Sequence, residues 1–369
     1  MRIQRIVRFK PLGEQIVMSL RAINRRCWIS GTSGMLASVF WFNSQANADF
    51  PLVAAKVGSL APIAADQTAP VITAMTIDPT GNWLAIAGDD QTIRILQAND
   101  FEQVALLRGH RDLIRSVAFR VDGKVLASAG NDGSLILWEK ATGFKKLNRV
   151  DELPAICSLR FTTDGTQLAA VGFGNEVLMF GGTKNRQTMI CDCNDLRSIA
   201  FDPEGKRLVA AGRSGYIHLF DAQSGRELGS YELHKGRIRQ CEFSRQGNSL
   251  ITVAEDGAAV VFDLERAEVT QRIEVLPCKL FTLVQLDDKH IAVAGSDNRI
   301  RIINLDTAAI VSYLDGHRGS ISNLVYSNGS LFSGGFDATI RKWPIAADRG
   351  ERLAENDAPP VPPKETSSR

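Results

Sequence analysis

From about residue 68 to residue 345 the chain alternates short apolar segments with clusters of Gly, Asp, Asn and Ser. The apolar stretches, such as residues 116–119 (SVAF) and 125–130 (VLASAG), are too short for helices and are bounded by turn residues, as strands are. The clusters recur before each middle segment: 78–82 (DPTGN), 121–124 (VDGK), 163–166 (TDGT), 202–206 (DPEGK), 245–248 (RQGN), 287–289 (DDK) and 327–330 (SNGS). A turn of that composition between two alternating apolar runs is a hairpin signal. Beyond the N-terminal segment, no window holds a 3.6-residue apolar period for more than a turn or two. The expected fold class is all-β.

An internal repeat gives the number of units. The last residues of seven apolar strands, Leu96, Trp138, Phe180, Phe220, Phe262, Ile303 and Trp343, are spaced by 42, 42, 40, 42, 41 and 40 residues. Each unit holds at least three antiparallel strands, and a fourth, such as residues 102–108, leads into the next. The expected architecture is a seven-bladed β-propeller of four-stranded antiparallel blades.

Two units carry landmarks that resemble the WD-repeat family, the G-protein-β-like propellers. Gly109-His110 followed by residues 128–138 (SAGNDGSLILW) matches the Gly-His and Trp-Asp signatures, with Glu139 in place of the final Asp. Gly316-His317 with residues 333–343 (SGGFDATIRKW) matches equally well, and Phe220-Asp221 and Phe262-Asp263 end two further units. The resemblance covers about residues 68–345 and implies a buried hydrogen-bonded network in some blades. Blade two supplies His110, Ser128, Asp132 and Trp138; blade seven supplies His317, Ser333, Asp337 and Trp343. Blade five offers His234, Thr252 and Asp256, but Phe262 lacks an indole N–H. Buried polar groups must be paired, and a satisfied network fixes neighbouring strands.

The same resemblance assigns this Ser, His and Asp to blade interiors rather than to a hydrolase triad, and no GxSxG nucleophile elbow accompanies them. Blades one and six keep a turn Asp (Asp90, Asp297) but have Ile86 and Val293 where the hydroxyl belongs, and blades three and four have Gly174 and Ser214 in the Asp position. These four blades are expected to rest on apolar packing. His218 and His290, with no metal-ligand spacing around them, are expected at the surface or at an edge.

A propeller must close its ring. Pro344 and a polar stretch follow Trp343, whereas strand candidates lie within residues 51–57 or 59–63. The expected organisation is an export signal over 1–48, a segment 49–67 that closes blade seven and leaves no free edge, the propeller over 68–346, and a disordered charged tail over 347–369. Residues 359–364 (PPVPPK) fit a proline-rich spacer better than an SH3-type ligand.

The resemblance implies binding rather than catalysis, across the face where the inner strands begin and the Asp turns emerge, since loops vary there over a rigid scaffold. Counting five residues on from the His position gives Thr73, Arg115, Cys157, Arg197, Arg239, Thr282 and Ser322. The residue before the turn Asp is Asp89, Asn131, Phe173, Arg213, Glu255, Ser296 and Phe336. Arg115, Arg197, Arg239 and Arg213, with Phe173 and Phe336, make a candidate face for a protein or peptide with acidic groups. No catalytic residue, metal or cofactor is expected, and the chain by itself is expected to be monomeric. A propeller enzyme or cofactor-binding protein using the central channel is the alternative.

Charge refines this picture. The formal charge is +2, but residues 1–48 hold seven basic residues against Glu14 alone, so the rest carries 36 basic and 40 acidic residues. That balance argues against general nucleic-acid binding. In residues 18–48, Arg25-Arg26 precede an apolar run to Phe42, and Ala46-Asn47-Ala48 offers small residues for cleavage before Asp49. The layout resembles a twin-arginine signal, with departures at Asn24, Trp28-Ile29 and Ser30. It implies an exported, periplasmic or secreted bacterial protein, with Met18 as an alternative start. A membrane anchor that is never cleaved is the other reading, although the apolar run of about 15 residues is short of the roughly 20 a span needs. Without a signal, the chain would read as a cytosolic adaptor. Five cysteines lie beyond the signal, an odd number that argues against a full disulfide framework. Cys191 and Cys193 are the one close pair, and no second ligand pair lies near them.

Overall fold

The computed structural model describes residues 55–63, 68–181, 186–192 and 194–345. The expected signal (1–48), the tail (347–369) and Cys193 lie outside the described residues. Among the described residues, twenty-eight strands form seven four-stranded antiparallel sheets, with a single short helical turn at Lys140–Thr142. In blade two, Ile114–Phe119, Val125–Gly130, Leu135–Glu139 and Lys145–Val150 follow one another from the central channel outward. The fold is the all-β, seven-bladed propeller that the repeat predicts.

The hairpin clusters work through their side chains and their glycines. Asp78 Oδ1 accepts the backbone N–H groups of Asn82 and Trp83 at 2.9 and 2.8 Å, and Asp202 repeats the pattern with Lys206 and Arg207. Gly81 and Gly123 sit at φ of 75° and 67°, the left-handed region that a side chain disfavours. Local chemistry thus fixes the turn, and the turn fixes the register of the first two strands.

Blade seven is the one sheet assembled from distant parts of the chain. Lys56–Ser59 pairs antiparallel with Thr339–Pro344, placing Lys56 opposite Lys342 and Ser59 opposite Thr339. The pairing strand straddles the two sequence windows proposed for it. Just beyond it, Leu60 donates its N–H to the Ala338 carbonyl at 3.0 Å and is itself buried. The seven apolar clusters each straddle two neighbouring blades, and the last joins Leu60, Ile72 and Leu84 to Phe332 and Ile340, completing the ring. Hydrogen bonds reinforce those seams near the axis. Ser116 Oγ accepts the N–H of Leu159, Ser198 Oγ that of Cys241, and Thr282 Oγ1 that of Leu324, at 2.9, 2.9 and 3.0 Å.

Every inner strand also carries a bulge at its second residue. In blade two Ile114 pairs with Gly130 and Ser116 with Ala129, which leaves Arg115 out of the ladder. The same skip leaves out Thr73, Cys157, Arg197, Arg239, Phe281 and Ser322 in the other blades. A bulge re-aims its extra residue, and all seven of these residues line the mouth of the central channel.

Candidate functional site

The polar networks come first, because their geometry resembles catalysis. In blade two Nδ1 of His110 donates to the Asp132 carboxylate at 3.0 Å, and Nε2 accepts from Ser128 Oγ at 2.8 Å. The same Ser128 oxygen accepts the Trp138 indole N–H at 2.9 Å. This tautomer is the one that satisfies every group in the chain of bonds. Blade seven repeats it with His317, Asp337, Ser333 and Trp343. In blade five His234 joins Asp256 and Thr252, while Phe262 takes the indole's place without a polar bond. The order hydroxyl, imidazole, carboxylate is that of an activated nucleophile. Burial excludes the chemistry: Ser128 and Ser333 are fully buried, and the His110 and His317 side chains are 1% exposed. No substrate reaches these hydroxyls, and each oxygen is already engaged by an indole.

Burial pushes the His110 and His317 imidazoles below their ordinary pKa, outweighing the neighbouring carboxylates. For Asp132 burial acts upward, yet the Arg111 and Ser134 N–H groups and His110 together hold its carboxyl below the usual range. A neutral imidazole beside an ionised carboxylate is what the donor chain requires.

Blades one and six correct an expectation. They do not rest on apolar packing alone: a buried arginine on the third strand takes the role of the missing histidine. Arg94 lies 2.6 Å from Asp90 and also donates to Thr92 Oγ1 and the Ala61 carbonyl. Arg301 pairs with Asp297 in the same way. Ile86 and Val293 sit opposite these arginines in the ladder. A long guanidinium reaches the turn Asp directly, so the hydroxyl relay is not needed.

Of the candidate binding residues, Arg115, Arg197, Arg239 and Phe336 line the central channel, and Phe173 packs against two of those arginines, whereas Arg213 is not among the lining residues. The channel has a volume of about 470 Å³, and the charged side chains lining it are Arg115, Arg160, Arg197, Arg239 and Glu242. Arg115 and Arg197 both lie over the Phe173 ring, 5.2 and 4.3 Å from its centroid, and Arg239 lies 5.2 Å from that of Phe281. Arg197 pairs with Asp195 at 2.5 Å, and Arg239 approaches Glu255 at 3.5 Å. Arg115 donates from Nε to Asn131 Oδ1 at 2.5 Å. Burial, with Arg197 and Arg237 nearby, pushes the Arg239 guanidinium down in pKa despite Glu255. Phe173 and Phe336 are 42% and 50% exposed. Arg213 is exposed on the blade-four turn. Blade six contributes Phe281, not Thr282, to the ring. With no Gly-His landmark there, the sequence count slides by one, and Thr282 instead makes the inter-blade bond to Leu324.

A family model described as the IFT122 first beta-propeller matches residues 71–343. The chain belongs to this family of WD-repeat β-propellers. Among curated relatives it is 22% identical over 309 residues to eukaryotic translation initiation factor 3 subunit I of Oryctolagus cuniculus, covering 73% of this chain and 90% of that one. It is 24% identical to the serine-threonine kinase receptor-associated protein of Gallus gallus over 51% of this chain and 53% of that one. It is 23% identical to WD repeat-containing protein 1 of Xenopus tropicalis over 79% of this chain and 51% of that one. The WD-repeat chain thus spans nearly all of the first relative and about half of the other two.

The WD-repeat propeller holds further polar groups that the sequence places less well. His218 is a buried residue, not a surface one: it lies on the third strand of blade four, where blades two and five have Ile136 and Val260. Its Nδ1 is 2.9 Å from Glu227 Oε1, and its Nε2 is buried without a partner. His290 is half-buried between Asp287 and Asn304. Cys157, Cys241 and Cys278 carry free thiols, and Cys191 is disulfide-bonded. Nothing in the alternation of polar and apolar residues separates His218 from an exposed strand residue.

Proposed function

We propose that this propeller is a non-catalytic interaction scaffold that acts after export and seats a partner protein over the mouth of its central channel. Members of the WD-repeat family generally bind protein partners. The observation that carries the reading is the mouth itself. There, three of the seven bulged residues form an arginine arc on one rigid ring, the exposed Phe173 stacks against two of those arginines, and the exposed Phe336 also lines the channel. Aromatic and arginine side chains held by a scaffold are the usual anchors of a binding surface. The three Ser/Thr–His–Asp sets are buried, which supports a non-catalytic role for them.

Export rests on the Arg25-Arg26 and Ala46-Asn47-Ala48 pattern. Two measurements test the proposal. Mass spectrometry of the mature protein should give Asp49 as its first residue; an intact Met1 or Met18 contradicts export. A photo-crosslinking residue at Phe336 should trap a discrete protein adduct, and one at Leu147 on the outer strand of blade two should not. Equal labelling from both positions contradicts docking at the mouth.

A further inference from the structure

The mouth of the channel is not electrically uniform. Arg115, Arg197 and Arg239 fall on one arc with Cys157, whereas Phe281, Ser322 and Thr73 complete the ring without charge. The acids near the arc, Asp195 and Glu255, are shared among Arg197, Arg237, Arg239 and Lys279. Cations outnumber them, and among the described residues Arg115 has no carboxylate partner. Arg197 Nε is a buried donor with nothing to bond. Buried guanidinium donors of this kind are costly until an anion satisfies them.

Stacking on Phe173 holds two of these guanidiniums before any ligand arrives, which lowers the ordering cost of binding. Deeper in the channel the charge is balanced, because Arg160, three positions beyond Cys157, lines it together with Glu242 and its charge acts on that carboxyl. Glu242, hydrogen-bonded by Gln240 at 3.0 Å and by Gln285 at 3.4 Å, lies three positions beyond Arg239 on the same strand. The unbalanced positive charge that would draw an anion therefore sits at the rim. A channel of about 470 Å³ admits a side chain or a chain terminus rather than a folded element.

We propose that this arc is a carboxylate site, in which Arg115, Arg197 and Arg239 hold an acidic side chain or the terminal carboxylate of an extended peptide. The proposal rests on the docking reading above and gives the partner its chemistry. A peptide is favoured over a nucleic acid because the chain outside residues 1–48 is net acidic and the cationic arc is confined to one side of a narrow mouth.

Three fluorescein-labelled hexapeptides test it by anisotropy: hexaglutamate with an amidated C-terminus, hexaglutamine with a free C-terminus, and amidated hexaglutamine. At least one carboxylate-bearing peptide should bind about tenfold more tightly than the amidated hexaglutamine, and whichever does so identifies the source of the carboxylate. Arg115→Gln should remove most of that preference and Arg115→Lys should retain part of it. Arg266→Gln, an equal charge change at an exposed outer site, should leave binding within about twofold. Thermal unfolding of each variant checks that it folds. The inference is overturned if neither carboxylate peptide exceeds the neutral one, if R266Q weakens binding as much as R115Q, or if a thymidine hexanucleotide binds more tightly than both peptides. Crosslinks from Phe336 that persist in those cases leave the docking reading standing and remove only the carboxylate site.

Discussion

His110 Nδ1 lies 3.0 Å from the Asp132 carboxylate, and the two residues bridge the loop entering blade two to the tight turn that ends its second strand. Removing the imidazole takes a partner from a largely buried carboxylate and leaves the Ser128 O–H without its acceptor. His110→Ala should therefore cost about 3 kcal/mol. Trp138→Phe deletes one neutral donor and should cost about 1 kcal/mol, since Phe262 already occupies that place in blade five. Urea midpoints of the two variants check the ranking; equal losses would contradict it.

The same histidines give a pH dependence. Burial depresses the folded-state pKa of His110 and His317 below the ordinary 6.5. At pH near and below 6.5 the unfolded chain binds protons that the folded protein refuses, so stability falls as pH drops from 6.5 toward the lowered folded values. Above 6.5 both forms are neutral and this contribution is complete. The urea midpoint should decline between pH 7.5 and 5.5, and the decline should shrink in the His110→Asn/His317→Asn variant. An identical pH profile in that variant would contradict the assignment.

Arg94 and Asp90 should behave as a coupled pair. Arg94→Met alone strands the Asp90 carboxylate and should destabilise by about 3 kcal/mol, whereas Arg94→Met with Asp90→Asn should recover part of the loss. Additive single-mutant losses would show that the pair does not replace the histidine network.

Ring closure by the N-terminal strand is testable by truncation. A chain beginning at Thr68 loses the pairing of Lys56–Ser59 with Thr339–Pro344 and the burial of Leu60. Its Tm should fall by about 10 °C; an unchanged Tm would mean that blade seven is stable with three strands.

The blade count and the hairpins were legible because each leaves a periodic mark, an apolar strand end or a turn cluster, and the three histidine networks were legible through the WD-repeat resemblance that the Gly-His and Leu-His pairs carry. The bulges were also present in the pattern. In every blade the first two inward apolar residues are three apart, as in Ile114 and Val117 or Leu196 and Ile199, where a plain strand would have two. That extra residue is the channel-lining one, and reading it would have placed Phe281 rather than Thr282 in the ring. Arg94, Arg301 and His218 were not legible, since a charged residue on a short strand ordinarily faces solvent. Their burial follows from partners, Asp90, Asp297 and Glu227, that only the folded register brings into reach.

Hydrogen exchange on the propeller bound to the protein captured through Phe336 tests the central claim most directly. The account predicts slowed exchange at the channel mouth, in residues 111–115, 172–175 and 235–239, with the outer strands unchanged. Protection confined to outer strands such as Lys145–Val150 and Glu227–Glu232, with the mouth unaffected, would contradict it.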